Sequence, residues 1–365
     1  MRTFALVLAI AVLGTAAGCG SGGQQFALNL PVQSFYVVDM SISDAFDHTS
    51  EAASVKQEQS LELRLRYTVK KVAEDGTHTI DVLFQTIKNR QKNPGGSAKF
   101  DTSKDDATIP VEFYPFRVLT GQSVEIDVSA QGKVTTVRGG SQLAKQLLSG
   151  FDVGDQILSR RLQASRDYLQ EQFTEAAFKE VLQHLFARLP SESAGLQDQW
   201  TSESTYTKTL PRKESTSHTL AGLAEDRALV HTKADVTPQA MTKLSLGPNL
   251  AMRFNVNGTR DGEIYLDPKT GRQLSGKWTL NVKGKEFFDG PEGTPSRESG
   301  VTARSTITVK ELSFPKARAQ PPKGSAAPKS TESSVQTENP SAAPKKGDTP
   351  KTGEAPKPNA GSSQG

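Results

Sequence analysis

The chain has 365 residues, of which 35% are hydrophobic, with 30 Gly and 20 Pro. Forty-four Lys and Arg against 40 Asp and Glu leave a net charge of only +4. These figures exclude a multi-span helical membrane protein, a collagen and a disulfide-stapled miniprotein, and they do not fit one compact globule from end to end.

The first 19 residues read Met-Arg, an apolar run from Phe4 to Leu13, then Gly14-Thr15-Ala16-Ala17-Gly18-Cys19. One positive charge, a short apolar core and small residues before a cut site make a secretory signal. The run is shorter than the roughly 20 residues of a membrane span. Cys19 is the single cysteine of the chain. Ala16-Ala17-Gly18-Cys19 resembles a lipobox, with Ala16 where Leu is usual. The residues therefore predict a lipoprotein signal peptide over 1–19 with a lipidated Cys19, a palmitate-type membrane anchor. The competing reading is an ordinary cut after Ala17 that leaves a free thiol. Several acyl chains together would anchor stably, at about 0.8 kcal/mol per buried methylene. Residues 20–25 read as a flexible tether. Gly20 rather than Asp after the cysteine, by resemblance to enteric lipoproteins, favours the outer over the inner membrane of a bacterial envelope. With one cysteine, no internal disulfide is available to the exported chain.

Residues 26–140 form the first β-rich half. Leu61, Leu63, Leu65, Tyr67 and Val69 alternate with Glu62, Arg64, Arg66 and Thr68, so one face of a strand is wet. A phase slip at Lys70-Lys71-Val72 predicts a bulge, and Ala73-Glu74-Asp75-Gly76 a hairpin turn. Ile80, Val82 and Phe84 return. Asn93-Pro94-Gly95-Gly96 marks a loop, and Phe100 to Asp106 a polar loop or edge. Val124–Val128 and Lys133–Val137 make a second hairpin around Ser129-Ala130-Gln131-Gly132.

Residues 141–190 read as helical. A short helix starts at Ser141 as N-cap and stops at Gly150. A longer one is expected from about Asp155 to Leu189, ended by Pro190. Its stripes Leu169, Phe173, Ala177, Val181 and Phe178, Leu182, Phe186, Leu189 make a wide apolar face that packs on a sheet. A peripheral membrane helix would want a basic polar face, which Glu171, Glu175 and Glu180 deny.

Residues 191–315 form the second β-rich half. Trp200, Ala228–Ala234, Met252–Val256, Glu263–Asp267 and Trp278–Val282 carry strand patterns, and Thr306–Leu312 makes the last strand. Pro268-Lys269-Thr270-Gly271 is a turn, and Gly284–Gly300 reads as a polar loop. The order of signals in 195–315 parallels that in 26–140, as an internal duplication would give. From Lys316 to Gly365 the only apolar residues are Ala and Val335. This Pro-, Lys-, Ser- and Ala-rich tail has too little to bury and is expected to be disordered. It holds eight basic and four acidic residues, the whole net charge. It reads as a solubilising appendage or as an arm that touches anionic envelope surfaces; nucleic acid is not indicated.

Tyr67-Thr68-Val69, Glu74-Asp75-Gly76, Phe100-Asp101-Thr102-Ser103, Gly132-Lys133-Val134, Leu189-Pro190, Trp200 and Asp267-Pro268-Lys269-Thr270-Gly271 follow one another in an order that resembles a family of exported bacterial proteins classed as a domain of unknown function. The resemblance covers about 57–312. It implies a β-rich, exported domain and brings no activity, catalytic residue or cofactor.

No catalytic motif is found. His48, His78, His184, His218 and His231 lack metal-ligand spacing. There is no nucleophile elbow, Walker loop or dinucleotide fingerprint. Asp101, Asp105 and Asp106 do not match an EF-hand. Asp75, Asp226, Asp261 and Asp267 sit where Asp caps turns. No metal, cofactor or catalytic residue is therefore expected.

The expected fold is α+β: two antiparallel, curved sheets with the middle helices packed against them. The expected core is Leu63, Leu65, Val82, Phe84, Ile126, Val128, Phe173, Val181, Leu185, Phe254, Ile264, Leu266, Trp278 and Leu280. The leading functional expectation is a lipid-anchored envelope protein with a non-enzymatic binding or structural role. The alternatives are a periplasmic carrier of a lipophilic ligand, resembling half-barrel lipoprotein carriers, and an envelope hydrolase. A carrier requires a cavity of several hundred Å³ left open by its own helix.

Overall fold

The computed structural model describes residues 23–50, 54–104, 113–149, 173–208, 210–239, 242–247, 250–290 and 296–312. Cys19, residues 155–172 and the tail from 316 lie outside the described residues. The chain divides into a unit Met1–Phe314 and a unit Pro315–Gly365, and every described residue belongs to the first.

Strands dominate that unit: β1 (Phe35–Thr49), β2 (Ser54–Val72), β3 (His78–Asn93), β4 (Gly96–Asp101), β5 (Ser123–Val128), β6 (Val134–Arg138), β7 (Gln199–Tyr206), β8 (Arg212–Leu223), β9 (Ala228–Pro238), β10 (Lys243–Gly247), β11 (Leu250–Leu266), β12 (Gln273–Asp289) and β13 (Arg297–Glu311). Among the described residues three helices accompany them: α1 (Tyr114–Leu119), α2 (Gly140–Ser149) and α3 (Glu175–Leu182). A 3₁₀ turn at Gln183–Leu185 follows α3.

The expected α+β class is overturned. All 13 strands belong to one antiparallel sheet, in the order β6-β5-β3-β2-β1-β13-β12-β11-β9-β8-β7, with β4 beside β3 and β10 beside β11. The two β-rich halves are not separate sheets. β1 pairs with β13 from Val38–Glu311 to Thr49–Gly300 and welds them into one. Among the described residues the helix stops short of the Leu189 end that the apolar stripes implied. The helix ends early because Phe186 turns to extended backbone (φ −128°, ψ 124°). Residues 186–189 continue as an irregular extended strip rather than helix. The loop expected over Gly284–Gly300 is mostly strand, since β12 runs to Asp289 and β13 begins at Arg297. Ser141 does not cap a helix: α2 begins at Gly140, and the Ser141 hydroxyl donates to Glu175 at 2.9 Å.

The local signals of the hairpins hold. The β2–β3 register shifts between Val69 and Lys71, where the phase slip lies. Gly76 closes its turn at φ +79°, and the Asp75 carboxylate accepts from Thr77 N–H at 2.9 Å. Alternation then fixes which face is dry. On β2, Leu63, Leu65, Tyr67 and Val69 are buried while Glu62, Arg64 and Arg66 are exposed. The outer face carries ion pairs such as Arg64–Asp39 at 2.7 Å and Lys285–Glu298 at 2.6 Å.

The inner face is packed by the segment Phe173–Leu189. Thr174 caps α3 by accepting from Ala177 N–H at 3.2 Å. Phe178 packs on Phe84 and Phe186 on Tyr67, with ring centroids 5.8 and 5.6 Å apart. Full burial of each such ring contributes about 2 kcal/mol. The same segment touches both terminal strands. Gln183 accepts from Val134 N–H at the start of β6, and Lys179 donates to Thr135 O. At the other end Arg188 donates to Glu203 O on β7, and Trp200 donates to Arg188 O. The two strand ends of the sheet are thus occupied by one crossing segment.

Candidate functional site

The pairing registers place inner-face side chains in rows across the sheet. One row is apolar: Leu61, Ile42, Ile307 and Trp278, each opposite the next. Trp278 has room because its neighbours are glycines. A Cβ on Gly262 would lie 2.3 Å, and on Gly276 2.4 Å, from the indole.

The adjoining row is largely polar. Gln59 faces Asp44, and Asp44 faces Ser305. Ser305 faces Leu280, which faces Arg260. The row ends through Ala234 and Thr216 at Ser202. Beyond it a second apolar cluster forms from Leu210, Val236, Val256, Leu280, Val282, Val301 and Ala303, with Phe46 and Phe254 against it. A polar belt therefore separates two apolar zones of one face of the sheet.

A cavity of about 320 Å³ lies where the belt meets the second apolar zone. Its apolar wall includes Ile42, Phe46, Val181, Leu244, Met252, Phe254 and Ala303. Its polar wall includes Asp44, His48, Gln57, Gln59, Glu180, Lys208, Arg212 and Ser305. Of the residues expected in the core, all are buried except Val181 and Phe254, and both of these line this cavity.

The charges around the cavity are matched by the fold. Glu214, fully buried, lies 2.7 Å from Arg212 and 3.0 Å from Arg260. Arg212 also donates to Leu210 O and stacks 3.8 Å over the Tyr206 ring, while Arg260 donates to the Tyr206 hydroxyl. Glu180 accepts from the N–H groups of Thr207 and Lys208. Burial lifts the Asp44 carboxyl above its ordinary range, opposed by a hydrogen bond from Ser305 and the field of Arg212.

The histidines divide by place. His78 is buried and structural: it accepts from Leu30 N–H and bonds Gly76 O. His184 stacks between Tyr206 and Trp278, and burial with the nearby Arg260 and Arg212 lowers its pKa to about 3. Burial, with Arg260 and Arg188, lowers that of His218 to about 4. His78 and His184, expected at the surface or in a second layer, are both buried, and the rings of His184 and His218 are neutral parts of the interior. His48 lines the cavity and holds Glu286 at 2.7 Å. His231 is exposed, 3.8 Å from Glu263.

Two arrangements have the residue types of nucleophilic catalysis. Ser202 Oγ lies 2.8 Å from His218 Nε2. The buried Nδ1 of that ring makes no hydrogen bond, so no third group orients it as a base. His48 and Ser299 both bond the same oxygen of Glu286, so no serine–imidazole contact forms there. Among the described residues no group of three His, Cys, Asp or Glu is placed to hold a metal. Asp101 caps Ser103, and Asp105 and Asp106 lie outside the described residues.

The sequence reading missed the belt. Arg212, Glu214 and Thr216 alternate on the inner face of β8, and an alternation of polar residues reads as a wet face. Only the register, which sets them beside Ala234 and Val236, places them inside.

Comparison with known families finds that residues 75–272 match the model described as a family of unknown function, DUF6263. The match spans more than half of the chain, and the chain belongs to that family. It falls within the stretch 57–312 over which the resemblance was read. No curated protein matches. A structure of lipid–protein interactions in lipovitellin is 10% identical with a TM-score of 0.42, covering 80% of this chain and 26% of that one. The chain thus spans about a quarter of that structure's length. The outer membrane protein OprG from Pseudomonas aeruginosa is 7% identical, with a TM-score of 0.23 and coverage of 78% and 96%. The COG4313 outer membrane channel from Pseudomonas putida F1 is 6% identical, with a TM-score of 0.20 and coverage of 78% and 97%. At these scores the three neighbours carry no argument about function.

Proposed function

We propose that this member of the DUF6263 family is a non-enzymatic binding protein of the bacterial envelope, anchored through a lipid on Cys19, that holds a small amphipathic molecule in its inner-face cavity. The observation that carries this reading is the cavity of about 320 Å³ that α3 leaves open between a polar belt and an apolar zone. That is the lower end of the usual range for ligand sites. The charged outer face supports a water-facing exterior, the reverse of the apolar band with which an outer-membrane barrel meets lipid. Matched buried charges and neutral interior histidines support binding rather than catalysis.

Native mass spectrometry of the full chain extracted from its membrane tests this. A stoichiometric amphipathic adduct is expected. Ala303, buried against the cavity, offers the control: Ala303→Trp should fill the space and abolish the adduct while the chain stays folded. An adduct-free wild type, or an adduct that survives in the folded variant, contradicts the proposal.

A further inference from the structure

We infer that the ligand's head group is uncharged and hydroxyl-bearing, seated among Gln57, Gln59 and Ser305, with its apolar part toward Phe46, Met252 and Phe254. This rests on the binding reading above and adds the chemical class of the ligand.

The inference follows from what the cavity has left to offer. Arg212 and Arg260 flank Glu214 at 2.7 and 3.0 Å. Glu180 is held by backbone N–H groups and by the Thr207 hydroxyl. His48 is bonded to Glu286 at 2.7 Å, and Lys208 has its own interaction within the fold. A charged head entering here would shed water and meet ions already paired inside the protein. An anionic head would compete with Glu214 for Arg212, the one of its two guanidinium partners that lines the cavity. A cationic head would need Asp44 ionised, and burial favours the protonated form of that group.

Of the rest of the polar lining, Arg304 is exposed and alternates with Ala303 and Ser305 on β13, so it stands on the other face, while Gln57, Gln59 and Ser305 are neutral. Gln57 and Gln59 sit at alternate positions of β2, half-buried and on the same face. Each amide both donates and accepts, and the Ser305 hydroxyl, which donates to Asp44, keeps its acceptor lone pairs. That set matches hydroxyl groups, which also do both. The registers set apolar partners directly beside this polar patch: Phe46 faces Gln57, and Ala303 faces Phe46.

Four probes with the same octyl chain separate the possibilities: octyl glucoside, monooctanoylglycerol, octanoate and octyltrimethylammonium. Each is titrated calorimetrically into the full chain below its critical micelle concentration. The two neutral probes should bind saturably and at least tenfold more tightly than the two ions. The stronger neutral probe distinguishes a sugar head from a glycerol head. Gln57→Leu with Gln59→Leu should reduce that preference to less than threefold, with the thermal transition retained. An ion that binds as tightly as the neutral probes overturns the head-group assignment and leaves the binding reading standing. Saturable binding by none of the four overturns both.

Discussion

Glu214 sets the electrostatics of the interior. Its carboxylate, with no solvent exposure, is the shared partner of two buried guanidinium groups. Removing it leaves both cations buried without a counter-charge, which costs about 3–5 kcal/mol. Glu214→Leu should lower the urea midpoint accordingly, and Arg260→Met in the same chain should recover part of the loss. A double variant no more stable than Glu214→Leu alone contradicts the pairing. The buried histidines give a pH dependence. The His218 pKa is about 4 in the fold, against about 6.5 unfolded. The unfolded chain therefore binds more protons between these values. Stability from the neutral ring is full above pH 6.5 and is lost as pH falls toward 4. Thermal melts of wild type and His218→Gln should diverge within that window and run parallel above it. Parallel curves throughout contradict the assignment.

At the scale of elements, the crossing segment Thr174–Leu189 ties the two terminal strands β6 and β7 to the inner face. Gln183 alone accepts from Val134 N–H and donates to Gly132 O and Phe186 O. Gln183→Leu should cost about 2–3 kcal/mol and raise hydrogen exchange of β6 amides more than those of β1. Equal exchange in both strands argues against edge protection. Gly132 shows the same closeness: φ is +72°, and a Cβ there would lie 1.9 Å from Ala187 O. Gly132→Ala should cost roughly 2 kcal/mol or more, read as a drop of several degrees in Tm. The hairpins around Asp75-Gly76 and Gln131-Gly132 were legible in the sequence because turn chemistry and alternation are local. The single sheet was not, because the β1–β13 pairing joins residues more than 250 positions apart and no local period encodes it. The expected helix was overread at its C-terminal end because an apolar stripe records burial, and residues 186–189 are buried or half-buried without being helical.

For the molecule as a whole, the uneven sequence composition predicts different behaviour in different segments. Cys19→Ser should move the protein from the membrane to the soluble fraction, and unchanged partition contradicts the anchor. The residues of the cavity were individually visible in the sequence, but their convergence was not. Asp44, Gln59 and Arg212 come from β1, β2 and β8, and only the long-range fold of one sheet brings them to the same space. The most direct test of the cavity as a binding site reads two methionines at once. Met252 lines the cavity, while Met40 is buried in the main apolar core and does not line it. Methyl-labelled methionine spectra recorded during titration with octyl glucoside should show a saturable shift of the Met252 resonance and a nearly stationary Met40. A stationary Met252, or equal shifts at both methyls, would contradict the account.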